Sequence, residues 1–429
     1  PNPFRENLLR SMNSKYLIKF DWVTLFLYVG LVGVGLVNIY STSHSPEVNM
    51  FSLQHAFGKQ FFFAGVSLAM IFFVQFGPVK IFERFSSIAY LVIVGLLLGL
   101  FVFGTEVSGA RSWYSVGGFS FQPAEFAKVV TALAITKHIS DINTNLKKWS
   151  HRRTALILIL LPAILILPQP DPGSALVFLS FFLVLHAEGM PSFYLWSFFG
   201  LALLFVLTLL LGVKATTYGL VALGVVAIPV LVSKTRRNKM LSTLAVVTLA
   251  IGFVQSVSYI FENVFEQRHR DRFNIVLGKE VDTQGIGYNI NQSQIAIGSG
   301  RLSGKGFLEG TQTKGDFVPE QQTDYIFTTI GEEWGFLGSF LVIILFVSLM
   351  HRILNHAKRQ KNDFSRIYCY AVVALILTHF GVNLGMVLGL IPTIGIPLPF
   401  LSYGGSHLLA FSLLLGIYLR LDANRINEW

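Results

Sequence analysis

Twelve apolar runs, each close to the length a helix needs to cross a lipid bilayer, constrain this chain more than any other feature. A hydrocarbon core of about 30 Å takes roughly 20 residues of helix. Such runs occupy 22–41, 57–76, 86–104, 123–138, 153–168, 173–188, 191–212, 216–233, 240–261, 329–350, 367–390 and 401–420. They are continuous rather than alternating, which favours helices over an outer-membrane barrel. The expected fold class is all-α, a polytopic helical membrane protein forming one integral membrane domain over residues 1–429.

Composition agrees with that reading. Only 13% of the 429 residues are charged and 53% are hydrophobic, whereas soluble domains carry roughly 25% charged residues. A soluble fold of this size lacks the polar surface to cover so much apolar material. The single cysteine, Cys369, excludes an internal disulfide framework and a cysteine-based metal cluster. No cleavable signal peptide is expected, because the first run is too long and follows a charged stretch.

The formal net charge of +10 would suggest nucleic acid in a soluble protein, but here it reports topology. With the N-terminus inside, 22 of the 33 Lys and Arg fall in segments expected on the cytoplasmic side. Short outer loops hold only Lys59, Arg111 and Lys214. Lys128 lies within a run, and the other seven lie in the long loop 262–328, which the positive-inside rule exempts. Both termini are therefore expected in the cytoplasm, with the long loop outside and no nucleic-acid partner. The pair 153–168 and 173–188 fits either two spans or a re-entrant pair, and charge does not separate these.

Five places concentrate unusual chemistry. In Gly109-Ala110-Arg111-Ser112-Trp113-Tyr114, the arginine suits bidentate phosphate contact; an interfacial aromatic belt with a snorkelling arginine explains it equally well. Glu125 and Lys128 stand three apart on one face of a helix begun by Pro123. Charges inside a span mark function or a structural ion pair. Asp171, in Gln169-Pro170-Asp171-Pro172-Gly173-Ser174, is placed to cap the next helix, and a carboxylate at a break between helices is also a ligand position.

The fourth place is the long loop, which ends in Pro319-Glu320-Gln321-Gln322-Thr323-Asp324-Tyr325 with Glu332 and Glu333 beyond. A cap is the plainer role for Asp324, and loops this long are usually functional or disordered. The fifth runs from Pro392 to Ser406, with three prolines and three glycines. It reads as a rigid outer turn buried in protein. Its Gly404-Gly405-Ser406 suits either an anion at a helix start or close packing.

Together these motifs resemble the SEDS family of shape, elongation, division and sporulation proteins, its RodA branch more than its FtsW branch. The matching segments are Gly109–Trp113, Gln122–Lys128, Gln169–Asp171, Gln294–Gly306, Pro319–Glu333 and Pro397–Ser406, in family order. The resemblance implies a peptidoglycan glycosyltransferase of the bacterial cytoplasmic membrane that polymerises lipid II on the outer face. Undecaprenyl diphosphate would leave with inversion. The family's proposed catalytic aspartate falls on Asp324, and Glu125 with Lys128 carry over as a paired intramembrane feature. The implied partner is a class B penicillin-binding protein, the transpeptidase. The candidate substrate-binding residues on these motifs are Arg111, Trp113, Glu125, Lys128, Asp171, Lys305, Glu320, Thr323, Ser402, Gly404 and Gly405.

The chain departs from the family pattern in places. Gln322 stands where many relatives have His, Tyr325 where they have Phe, and Pro172 and Ser174 where Leu and Thr are usual. The family has ten spans, so 216–261 reads as an extra helical hairpin. The chemistry expected is a single displacement with Asp324 as base and Arg111, Lys305 and Lys128 toward the diphosphate. A divalent cation, Mg or Mn, held by Asp324 and the diphosphate is the alternative stabiliser of the leaving group. Asp324 is expected beside Glu125, Lys128 and Arg111 in one outward-facing cavity. A flippase for lipid-linked precursors and a scaffold for the transpeptidase are the competing functions.

Overall fold

In the computed structural model, residues 20–44, 49–107, 109–117, 119–232, 237–263, 267–277 and 286–425 are described. The termini expected in the cytoplasm, the basic tip at 234–236 and the 278–285 stretch of the long loop lie outside the described residues.

Side chains able to satisfy the first N–H groups open several of the helices. Asp21 caps α1 (Trp22–Ser43), accepting from the Thr24 amide at 3.2 Å. Next come α2 (Ala56–Val74) and α3 (Lys80–Phe103). The loop beyond α3 folds into a small antiparallel sheet of β1 (Thr105–Val107), β2 (Ala110–Val116) and β3 (Phe119–Phe121). Thr105 pairs with Trp113 and Tyr114 with Phe121. The adjacent aromatics Trp113 and Tyr114 within Arg111–Ser115 suit a strand, where aromatic residues are enriched.

Pro123 begins α4 (Pro123–Ser140), and α5 (Trp149–Ile166) follows. Asp171 caps α6 (Pro172–Val177), accepting from the Ser174 amide at 3.0 Å. A 3-10 turn joins α6 to α7 (Phe181–Ala187). The pair left open by charge traverses the bundle twice. The α5 start lies by the C-terminal end of α4, where the His138 ring meets the His151 carbonyl. Its far end reaches Asp171, which accepts from Gln122 just before α4 at 3.0 Å. The 172–187 stretch then returns to Glu188, which accepts from Arg366 at 3.0 Å.

The chain divides into two compact units, 1–190 with 289–429, and 191–288. The second holds α8 (Ser192–Val232), α9 (Arg237–Asn263) and α10 (Gln267–Val276). Within α8, Gly212 has φ +83° and ψ 159°. The Thr216 hydroxyl reaches the Leu207 carbonyl at 3.2 Å, although nine residues of straight helix would separate them by roughly 13 Å. The run therefore holds two helical segments meeting at a sharp bend, matching the expected break between 212 and 216. At Gly224, an added Cβ would lie 3.3 Å from Val247, so the second segment packs closely on α9.

In the first unit the long loop continues as α11 (Ile286–Ser299) and α12 (Thr311–Lys314). The expected span 329–350 is divided. Helix α13 (Ile326–Glu333) ends at Trp334, and α14 (Gly335–Ala357) starts anew. Gly335 has φ +65°, and a Cβ there would stand 2.2 Å from the Gly304 amide. The loop crosses at this point, held by Lys305 N to Glu332 O and Gly306 N to Glu333 O, both 3.0 Å.

Helices α15 (Asp363–Val387) and α16 (Gly405–Asn424) complete the unit and form its centre. Their apolar windows are 67% and 89% buried, against 28% for α2, α3 and α14. Among the described residues nine helices are long and apolar enough to cross a membrane. The shorter 172–187 stretch and the charge-bearing α4 add to these, so the fold is an all-α polytopic membrane protein. Arg352, Arg366 and Arg425 pair with Asp21, Glu188 and Asp422 at one end of the unit. Asp171, the 392–406 turn and Glu333 lie at the other.

Candidate active site

The 392–406 turn is the frame of the site. Gly395 has φ +79°, a left-handed conformation that favours glycine. The Ser402 hydroxyl accepts from the Leu398 amide at 2.8 Å and donates to the Thr323 carbonyl at 2.6 Å. The Tyr403 amide donates to the Gln322 carbonyl at 2.8 Å. Tyr325 and Thr393 share a hydrogen bond at 2.8 Å between their hydroxyls. The end of the long loop is thus fastened to the turn at three successive places around Asp324.

Asp324 itself is half-buried. The helix cap falls on Tyr325 rather than on Asp324. Its backbone carbonyl accepts from the Asn383 amide at 2.8 Å. Its Oδ2 lies 3.5 Å from where a Cβ on Gly395 would stand. Beneath that glycine, a Cβ on Gly173 would meet the Ile394 carbonyl at 2.5 Å. The α6 start, capped by Asp171, is therefore packed directly against the turn.

Behind the turn sits a buried charge network. Lys128 donates to Glu125 at 2.8 Å, and Glu125 meets His407 Nδ1 at 2.8 Å. Lys128 Nζ lies 3.2 Å from His379 Nε2 and 5.8 Å from the Phe411 ring centre. His379 Nδ1 is 3.0 Å from the Pro397 carbonyl. Glu125 and Lys128 are 3% and 1% exposed, so they brace α4, α15 and α16 from within rather than line a surface. This corrects the expectation of one open cavity shared with Asp324: a desolvated ion pair is kept only where further partners surround it.

The remaining candidates are placed as follows. Arg111 is exposed, and its guanidinium donates to the carbonyls of Gly104 at 3.0 Å and Val102 at 3.4 Å. Trp113, on the same strand, is half-buried. Neither is brought to Asp324 by these contacts. Lys305 donates at 2.7 Å to Glu332, which also accepts from the amides of Gln312 and Thr313 at 2.9 Å each. Burial alone would raise the Glu332 pKa, but Lys305 and these donors together bring it below the usual range. Glu333 accepts from Ser41, and burial pushes its pKa up. Both acids precede the α14 span.

Glu320 is exposed at φ +55° and accepts from the Thr323 hydroxyl at 2.9 Å. The Gly404 amide donates to Gln60 at 3.0 Å, and a Cβ on Gly405 would strike the Phe63 ring at 2.5 Å. Gly404-Gly405-Ser406 is therefore a close-packing turn, with the Gly404 donor already spent. Sequence reasoning missed His379, Asn383 and His407. The signal for the first two was a polar pair four residues apart inside an apolar run.

Asp324 itself could offer a carboxylate oxygen to a cation. Among the described residues, the one grouping of three carboxylate or imidazole donors is Asp21, His356 and Asp422, at the opposite end. There Arg352 already donates to Asp21 at 2.6 Å.

Known proteins place this architecture. The chain is 31% identical to the peptidoglycan glycosyltransferase RodA of Treponema pallidum (strain Nichols), over 97% of this chain and 100% of that one. It is 32% identical to the peptidoglycan glycosyltransferase MrdB of Escherichia coli (strain K12), over 81% and 80%. A chain from a solved structure described as "Structural coordination of polymerization and crosslinking by a peptidoglycan synthase complex" superposes with a TM-score of 0.67, at 25% identity over 95% and 99%. The rod shape determining protein RodA of Thermus thermophilus superposes with a TM-score of 0.60, at 23% identity over 95% and 97%. The FtsW/RodA/SpoVE family, described as cell cycle proteins, matches residues 22–220 and, overlapping them, 192–427. The chain belongs to that family.

Proposed function

We propose that this protein is a peptidoglycan glycosyltransferase that polymerises lipid II on the outer face of the bacterial cytoplasmic membrane, with Asp324 as the base. The observation that carries the reading is the presentation of Asp324. Its carboxylate stands over the Gly395 turn on a segment fastened from Gln322 to Tyr325, at the end of the first unit opposite the arginine-rich one. By the positive-inside rule, the arginines at that opposite end support a cytoplasmic side there, and with it Asp324 outside and both termini inside.

Lipid II carries an α-linked disaccharide on a diphosphate, and the glycan is β-1,4 linked, so one displacement inverts the anomeric carbon. The acceptor 4-hydroxyl oxygen bonds to C1 while the C1–phosphate bond breaks. The proton passes to Asp324, and undecaprenyl diphosphate leaves with the electron pair. A sugar hydroxyl is too weak an acid to lose its proton unaided at neutral pH, so proton transfer to Asp324 accompanies bond formation rather than preceding it. Arg111, exposed on β2, and Lys305 are the cations proposed for the diphosphate. A Mg or Mn ion held by Asp324 and the diphosphate would supply the same charge neutralisation. A class B penicillin-binding protein is the proposed partner, in keeping with the crosslinking named for the similar synthase complex.

Labelled lipid II enclosed in vesicles with the purified protein tests the reading. Glycan chains that disappear with Asp324→Asn support it. Movement of lipid II across the bilayer without polymerisation supports a flippase instead.

A further inference from the structure

Helix α15 holds the site through one face. His379, Asn383 and Met386 follow one another along it at intervals of four and three residues, the spacing that brings side chains onto one side. His379 Nδ1 contacts the Pro397 carbonyl at 3.0 Å, and Asn383 Nδ2 donates to the Ile396 carbonyl at 2.8 Å. The Ile394 amide donates to Met386 Sδ at 3.2 Å. The turn thus runs antiparallel to α15, one side chain to one backbone group. Asn383 does one thing more: the same nitrogen donates to the Asp324 carbonyl at 2.8 Å.

Asn383 is fully buried, and its nitrogen is spent on those two carbonyls. The reversed amide would set oxygen against two oxygens, so its orientation is fixed. His379 is fixed too. Lys128, which has only hydrogens to give, donates to Nε2, so the ring proton sits on Nδ1 and points at Pro397.

We propose that Asn383 is the positioning residue for Asp324, with His379 carrying the support of the buried Glu125–Lys128 pair to the same turn. The amide fixes the height of the Asp324 carboxylate above Gly395, while the imidazole fixes the turn beneath it. This rests on the reading of Asp324 as the base.

The test measures lipid II polymerisation by the full-length protein in nanodiscs, for Asn383→Leu, Asn383→Ser and Asp324→Asn. A carboxylate displaced by an ångström loses about 100-fold in rate. Asn383→Leu is expected to show that loss in kcat with KM held and the fold kept, at a lower melting temperature because two buried carbonyls lose their donor. The acid limb of its pH profile is expected to keep its shape at lower amplitude. Asn383→Ser, which keeps one donor, is expected to fall between the two. If Asn383→Leu does not yield a folded protein, the same kcat-only loss in the serine variant decides the matter. Wild-type kcat in the folded variants, or a loss confined to KM or to melting, overturns the positioning role. An active Asp324→Asn overturns the base assignment whatever Asn383 does.

Discussion

Lys128 and Glu125, three residues apart on α4, close a 2.8 Å ion pair that is shut off from solvent and flanked by an imidazole on either side. Removing one partner leaves the other charge buried, which costs about 3–5 kcal/mol, whereas replacing both with apolar residues of similar size is often neutral or better. Glu125→Leu and Lys128→Met are each expected to lower the melting temperature sharply, and the double variant to recover much of the loss. A double variant as unstable as the sum of the singles contradicts the pairing.

Gly395→Ala tests the turn. At φ +79° an L-residue costs about 1–2 kcal/mol, while the new methyl would only touch Asp324 Oδ2, at 3.5 Å. The strain therefore falls on the floor beneath the carboxylate. Turnover is expected to drop at least about tenfold, with the fold retained by melting analysis. Unchanged turnover detaches the turn from the chemistry.

Much of this was legible beforehand, for a physical reason. A charge in a 20-residue apolar run has no cheap explanation, so Glu125 and Lys128 stand out at once. Asp324, at the end of the long loop, reads first as a helix cap and is singled out by the family resemblance. The bend at Gly212 and the cap at Asp171 were legible because glycine, proline and short acids act locally. His379 and Asn383 were hidden inside the apolar average of 367–390, and what they hold lies 13 to 59 residues away in the chain. The break at Gly335 was missed because its cause, the crossing of Gly304, is also remote.

Lys305 has two roles to choose between. In the clasp it donates to Glu332, which also draws on Gln312 and Thr313. Glu332→Ala strands those donors at about 1–3 kcal/mol each. Proteolysis between 301 and 315 is expected to quicken, and Lys305→Met to show a weaker form of the same change. A Lys305→Met protein with normal proteolysis but raised KM assigns the lysine to the diphosphate instead.

The acid side of stability is set partly by Asp21. Burial alone would raise its pKa, but Arg352 and Thr24 outweigh that and hold it below the usual carboxylate range. A folded pKa below the unfolded one stabilises above the unfolded value, about 3.9, and the gain is lost as pH falls toward the folded one. The melting temperature is expected to fall on acidification from about pH 5 to 3, and less steeply in Asp21→Asn. Parallel curves for the two proteins exclude Asp21 as a source.

The measurement nearest the central claim is glycan synthesis from labelled lipid II by correctly folded Asp324→Asn protein, reconstituted beside the unaltered chain. The account predicts that glycan product disappears while the melting temperature stays within a few degrees. Near wild-type polymer from the asparagine protein would contradict it.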